Sequence, residues 1–216
     1  MNYTELKAQI IDICENNFED VSLAMFTQQA EQKIYNTVQL ANLRKNVTGT
    51  LTVNNKYLSA PSDFLSPYSL AVIKANGDYL YLLNKDTNFM REAYPNPTST
   101  GLPKHYGLFG PQSTDDNELS IIIGPTPDAS YSVELHYFYY PESIVTAGTT
   151  YLGDNFDSAL LNGALIEALR FMKGEAADTA VYDKLYAQAI GLLKNFGDGK
   201  QRMDAYRDGQ YRIPVT

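Results

Sequence analysis

Residues Asp157–Met172 read DSALLNGALIEALRFM, and in that stretch Leu160, Leu161, Ala164, Leu165, Ala168, Leu169 and Met172 recur every three or four positions. The spacing predicts a helix with a wide apolar face, opened by Asp154 or Asp157 and ended at Gly174, and a face of that width is buried. Asp178 opens the next helix, with Val181, Leu185, Ala189, Leu192 and Leu193 turned inward and Phe196-Gly197 as its stop. Helical spacing also governs the start of the chain. Asn2 and Glu5 form a capping box for a helix carrying Leu6, Ile10 and Ile13 up to about Asn17. Asp20 or Ser22 caps a second helix, with the stripe Leu23, Phe26, Ala30, Ile34 and Val38, that runs to about Leu43.

Between the helical ends the period is two. Thr48 to Val53 and Lys56 to Ser59 flank Asn54-Asn55, and Tyr68 to Ala75 and Tyr79 to Leu83 flank Asn76-Gly77-Asp78, so two hairpins are expected. A short helix is predicted at Thr87 to Ala93. Strands follow at His105 to Phe109, Glu118 to Ile123 and Tyr131 to Tyr140, the last two joined by Gly124-Pro125-Thr126-Pro127-Asp128. Helices that each need an apolar partner pack most economically on one another, so the expected fold is α+β. The expected domains are a helical body of 1–45 and 152–196, an inserted antiparallel β region of 46–151, and an extended C-terminal arm of 197–216. In that arm Lys200, Arg202, Arg207 and Arg212 alternate with Asp198, Asp204 and Asp208 around Tyr206 and Tyr211, a composition suited to ordering on a partner.

At 216 residues with 44% hydrophobic and 19% charged, the chain can build a core unaided and is not a disordered protein. No apolar run is long enough to span a membrane, and Met1-Asn2-Tyr3-Thr4-Glu5 lacks the start of a signal peptide, which points to the cytoplasm and to no membrane partner. A single cysteine, Cys14, excludes an internal disulfide and reads as a small core residue. Lys and Arg number 17 against 25 Asp and Glu, a net charge of −8 that argues against tight gripping of nucleic acid. Seventeen tyrosines and nine phenylalanines with no tryptophan lean towards a protein with interfaces.

Motifs for chemistry are missing. Gly107-Leu108-Phe109-Gly110 has neither the spacing nor the lysine of a phosphate-binding loop, and no serine sits between glycines in the hydrolase pattern. His105 and His136 fall on predicted strands without a partner nucleophile, and two histidines with one cysteine make a poor zinc set. Asp115, Asp116 and Glu118 form the densest acidic cluster, without the spacing of a calcium loop. No catalytic, cofactor or metal site is expected, and the chain reads as a non-enzyme.

Read in order, several segments together carry a resemblance: Ala30-Glu31-Gln32-Lys33-Ile34-Tyr35; Leu58-Ser59-Ala60-Pro61-Ser62-Asp63-Phe64-Leu65; Thr100-Gly101-Leu102-Pro103-Lys104-His105-Tyr106; Gly124 through Tyr131 leading to Leu135-His136-Tyr137; Gly163-Ala164-Leu165-Ile166-Glu167-Ala168; and the tail from Arg202 to Arg212. In these the chain resembles the head-to-tail adaptor (neck or connector) proteins of tailed bacteriophages, in particular the adaptor family of short-tailed phages. The resemblance implies a virion structural protein of the neck, made in the host cytoplasm. It also implies a dodecameric ring around the DNA channel, templated by the portal protein above, with a tail tube or nozzle protein below. DNA would pass without sequence-specific binding. It further implies that the C-terminal segment docks on the portal, and Arg202, Tyr206, Arg207, Tyr211, Arg212 and Ile213 are the expected contacts. The alternatives are a Tyr-rich β binding module of a virion, for a glycan or receptor, and a hydrolase assembled without a motif.

Overall fold

The computed structural model describes residues 1–111, 119–174 and 176–201. Its helices are α1 (Tyr3–Cys14), α2 (Asp20–Thr37), α3 (Thr87–Ala93), α4 (Ile144–Ala147), α5 (Tyr151–Asn155), α6 (Asp157–Phe171) and α7 (Ala176–Gln201). Its strands are β1 (Arg44–Leu51), β2 (Tyr57–Ser59), β3 (Ser66–Ile73), β4 (Tyr79–Tyr81), β5 (Leu83–Asn84), β6 (His105–Pro111), β7 (Leu119–Gly124) and β8 (Tyr131–Phe138). The protein is α+β, and it divides into two units. One combines Met1–Leu43 with the chain from Pro141 onward, and the other is Arg44–Tyr140.

In the helical unit, α1 starts as its sequence dictates, with the Asn2 side chain accepting from the Glu5 N–H and the Glu5 carboxylate accepting from the Asn2 N–H. Leu6 and Ile10 from α1, Leu23, Phe26, Ala30 and Ile34 from α2, and Leu160, Ala164, Leu165 and Ala168 from α6 share one core. Ile13, placed on the inward stripe by its spacing, is 39% exposed. Neither Asp20 nor Ser22 caps α2. The capping position is Glu19, with no side-chain bond, and the helix ends at Thr37, followed by a 3-10 turn over Ala41–Leu43. Phe156 occupies the corresponding position of α6, so Asp154 and Asp157 do not cap it either, and two short helices that the sequence pattern did not show precede it. The C-terminal end of α6 closes as expected in place but not in residue. The Gly174 N–H donates to the Leu169 carbonyl and the Lys173 N–H to that of Arg170, with Lys173 as the left-handed residue at φ 57°.

Two features of α7 depart from the sequence reading. The helix is formed from Ala176, ahead of Asp178, and it passes Phe196-Gly197 without stopping, so 197–201 are helical and the arm cannot begin at 197. Gly197 is there for close approach. A Cβ on it would stand 2.7 Å from the Gln39 carbonyl oxygen, so only glycine lets α7 run past that backbone. The inward face is also rotated. Ile190 and Leu193 are buried with Tyr182, Tyr186 and Ala189 against them, while Val181, Leu185 and Leu192 face solvent.

The β unit is two four-stranded sheets sharing one core. The first has the order β1-β8-β3-β4 and is antiparallel throughout; the second has the order β2-β7-β6-β5, with β5 parallel to β6. Leu51, Leu70, Val72, Val133, Leu135 and Tyr137 of the first meet Tyr106, Ile121 and Ile123 of the second. The hairpin about Asn76-Gly77-Asp78 is present, pairing Ile73 with Tyr79 and Ala71 with Tyr81. That expected about Asn54-Asn55 is not. Asn54 does take a left-handed turn, at φ 61°, but the turn carries the chain from β1 in one sheet to β2 in the other. The loop from Gly124 to Asp128 makes the same kind of crossing between β7 and β8. Helix α3 packs on β6 and β7 through Met90. Gly107 of β6 makes room for the segment that leads into α3, because a Cβ there would stand 2.5 Å from the Lys85 carbonyl oxygen.

Glu31 of α2 is the buried group that ties the helical unit together. Its carboxylate accepts from the Ile144 N–H at 2.9 Å and from the Ser143 side chain, at the start of α4. Burial raises its pKa above the ordinary 4.5 in spite of those two bonds. The folded state therefore binds its proton more tightly than the unfolded chain, and this carboxyl's contribution to stability falls as pH rises from about 4.5 through its folded pKa. Glu31→Gln keeps an acceptor and removes the charge, so its melting temperature is expected to gain on wild type between pH 5 and pH 8. Glu31→Ala leaves the Ile144 N–H buried and unpaired and should cost about 1–3 kcal/mol by urea unfolding at either pH. A parallel pH profile for Glu31→Gln and wild type would refute the charge argument.

Candidate interaction surfaces

The groups that sequence singled out for chemistry are built into packing. His105 Nδ1 lies 2.6 Å from the Tyr94 hydroxyl, with the Phe89 and Tyr94 rings beside it. Burial, with the Lys85 and Lys104 ammonium groups, holds its pKa below the ordinary 6.5, so the imidazole is neutral at pH 7. The phenol it meets is itself raised by burial and is a poor base or nucleophile. His136 lies on the other sheet, its ring 4.9 Å from that of Tyr68. Cys14 packs half-buried against the helical core, and burial raises its thiol pKa.

Lys45, Asp63 and Tyr137 form the most chemistry-like trio, with the ammonium 2.7 Å and the phenol 2.8 Å from the Asp63 carboxylate. Burial and the Asp63 charge push the Tyr137 pKa up to about 12, so it stays a protonated donor. Burial works against the Asp63 carboxylate, but its bonds to Lys45 and Tyr137 outweigh that and keep its pKa low. The trio fixes β1 and β8 to the turn after β2 and offers no free base. Among the described residues no group of three or more His, Cys, Asp or Glu is placed to hold a metal ion, and no helix is long and apolar enough to cross a membrane.

What the structure does present is uncovered contact surface. On the first sheet, β8 alternates Val133, Leu135 and Tyr137 inward with Ser132, Glu134, His136 and Phe138 outward. Across this outer face the Arg44 guanidinium lies 4.4 Å from the Tyr68 ring and 5.5 Å from that of Phe138. Tyr79 and Tyr81 stack at 6.5 Å on the edge strand β4, and the Tyr79 hydroxyl donates to Glu134 at 3.2 Å. Tyr68, Tyr79 and Tyr81 are each about half exposed or more. In the helical unit, Val181, Leu185 and Leu192 make an outward apolar stripe along α7. At its N-terminal end Val181 and Tyr182 join Ile13, Leu169 and Met172 around a cavity of about 430 Å³.

The six residues expected to meet the portal, Arg202, Tyr206, Arg207, Tyr211, Arg212 and Ile213, lie outside the described residues, as do Asp115, Asp116 and Glu118. They begin immediately after the last described turn of α7. Comparison with known families covers the chain as a whole. A family model described as SU10 adaptor protein matches residues 1–213, nearly the whole chain. The chain belongs to the SU10 adaptor family. As an SU10 adaptor it has a bacteriophage adaptor role and is a structural component of the virion. The match runs through Ile213, so all six tail residues lie inside the adaptor family's own length. No curated protein matches the chain.

Sequence reasoning missed the α7 stripe because it assigned those three residues to the core. The two adjacent leucines of this adaptor test the assignment directly. Leu193→Ala empties a fully buried site and should cost about 2–5 kcal/mol, whereas Leu192→Ala, at a position 73% exposed, should stay within about 0.5 kcal/mol in urea unfolding. Equal losses would mean that the stripe is covered in the free protein.

Proposed function

We propose that the protein is a head-to-tail adaptor that joins the portal to the tail, forming a dodecameric ring around the DNA channel in the virion neck. The match to the SU10 adaptor family over residues 1–213 carries the reading. Two kinds of exposed surface support it, since a ring subunit needs one set of contacts for its neighbours and others for unlike proteins. The apolar stripe on α7 and the tyrosine face of the first sheet are chemically distinct surfaces of this sort. A tail tube or nozzle protein is the partner on the side away from the portal.

The portal contact is assigned to the segment after α7, through Arg202, Tyr206, Arg207, Tyr211, Arg212 and Ile213. Three arginines five residues apart fit no single helix face, so an extended arm reaching several acidic or carbonyl-lined pockets accounts for the spacing better than a helix does. The tyrosines and Ile213 supply burial between them. Ring formation is templated by the portal, so light scattering of the isolated protein at micromolar concentration should give a monomer.

The rival reading as a glycan-binding module draws on Tyr68, Tyr79 and Tyr81, which are exposed on one sheet face. Saturable binding on a glycan array would favour it. The adaptor reading is tested by truncation after Gln201, which should leave the thermal melt within a degree or two of wild type while abolishing capture by purified portal. A truncated protein that still binds portal would move the contact to the helical unit, and one that melts several degrees lower would make the segment part of the fold.

A further inference from the structure

The two sheets of the β unit end differently. The second ends in β2 and β5, three and two residues long, which offer little to an added strand. The first ends in β4 and in β1, and β1 is eight residues long. From Asn46 to Leu51 it carries no charge and no proline, its pairing with β8 runs without a bulge, and Asn46, Thr48, Gly49 and Thr50 are exposed. Sheet edges are ordinarily guarded by shortness, charge, proline or a bulge, and this run has none of them.

The hydrogen-bond register fixes which backbone groups each edge presents. The Leu82 N–H donates to the Leu70 carbonyl and the Lys74 N–H to that of Asp78, so the bonded pairs of β3 and β4 are even-numbered. Tyr79 and Tyr81 therefore turn their N–H and C=O away from β3. The same alternation, carried across β3 and β8, leaves Asn46, Thr48 and Thr50 turned outward on β1. Both sets have their side chains on the outer face, since Thr48 lies beside Glu134, Glu134 beside Ala71 and Ala71 beside Tyr81. Four strands alternating in direction make β1 and β4 opposite in sense. A second copy set beside the first, facing the same way, thus meets the β4 edge with an antiparallel β1 whose free backbone groups are in phase with it. With an odd number of strands the edges would meet in parallel. With inward residues at one edge the cores would face opposite ways.

One register also accounts for a glycine. With Tyr79 opposite Thr50 and Tyr81 opposite Thr48, each aromatic meets a β-branched partner and Leu80 lies opposite Gly49. Within its own chain Gly49 has no need to be glycine, because a Cβ there would meet only Val133 Cγ2, at an ordinary 3.6 Å. A large side chain arriving from outside supplies the reason.

We propose that β4 of one copy pairs with β1 of the next, so that the first sheets of successive copies join into one antiparallel sheet. A strand from an unlike protein would cover one edge; this contact covers both with the chain's own residues. It is head-to-tail, the type of contact that closes rings, and it rests on the ring proposed for this adaptor. Tyr79 and Tyr81 allow at most four backbone hydrogen bonds, too small a contact to hold free subunits together and in keeping with assembly on a portal.

The test is disulfide trapping in a Cys14→Ser background, with subunits assembled on purified portal and the complex weighed by native mass spectrometry. Thr48→Cys with Tyr81→Cys in one chain should give, on oxidation, a ladder running beyond dimer. The two single variants mixed in equal parts should stop at dimer, and each alone should give no cross-link. Thr48→Pro removes an outward N–H, which an edge strand tolerates, so the melt should stay within about two degrees while oligomer on the portal falls at least about tenfold. Dimers from Tyr81→Cys alone would mean that two β4 edges meet about a twofold axis, and would overturn the proposal. A full ring that gives no ladder, or that forms undiminished with Thr48→Pro, would overturn the edge pairing and leave the ring reading standing. Wild-type subunits that sit singly on the portal would overturn both.

Discussion

A carboxylate buried on α2 holds the helical unit closed. The chain leaves this unit at Leu43 and returns at Pro141, and the first helix it forms on returning presents the N–H of Ile144 to Glu31. An orphaned N–H at a buried helix start is costly, and a carboxylate in the same place without donors would be costlier, so each group makes the other tolerable. Three further contacts reinforce the closure. Lys33, two residues along α2, pairs with the buried Glu167 of α6, which also meets Arg170 at 3.3 Å. The Met1 ammonium donates to the Gly153 carbonyl at 2.8 Å, and the Tyr3 N–H donates to Gly148. Apart from the Glu167–Arg170 pair within α6, these contacts tie the first helices to segments that follow the β unit, so a β insertion that did not bring its ends together would leave buried polar groups unpaired.

The parts of the fold legible in the sequence are those decided within a few residues. The capping box of Asn2 and Glu5, the Asn76-Gly77-Asp78 hairpin and the limits of α3 depend on local geometry, and each stands where the pattern puts it. What depends on a distant partner was not legible. Asn54 announces a turn but not which strand lies beyond it, and the sheet partner of β2 proves to be β7. Helix α7 carries apolar residues on more than one side, Val181, Leu185 and Leu192 on one and Tyr182, Tyr186, Ile190 and Leu193 on another. Periodicity detects both stripes and cannot say which one meets a core. Nothing near Glu31 in sequence names Ile144 as its partner.

The cations packed on aromatic rings around α3 illustrate the same limit. These residues come from 56–57, 85–91 and 104–109, three segments with no common motif, and only the strand order β2-β7-β6-β5 brings them to one side of a sheet. Net charge summed over the chain hides such a cluster, since acidic residues outnumber Lys and Arg by 25 to 17. The acids and cations of this chain are therefore better read as separate surfaces than as one balance.

The continuation of α7 past Gly197 changes the mechanics of whatever follows it. At 1.5 Å per residue a helix of 26 residues is a rod about 39 Å long, anchored along its length by Tyr186, Ile190 and Leu193 and threaded past Gln39. Five residues that composition assigned to a loose tail are already fixed in its last turn and a half. Each residue fixed in advance is one whose backbone freedom, about 1–2 kcal/mol, no longer opposes docking. The rod also fixes the origin of the segment from Arg202 onward relative to the helical core.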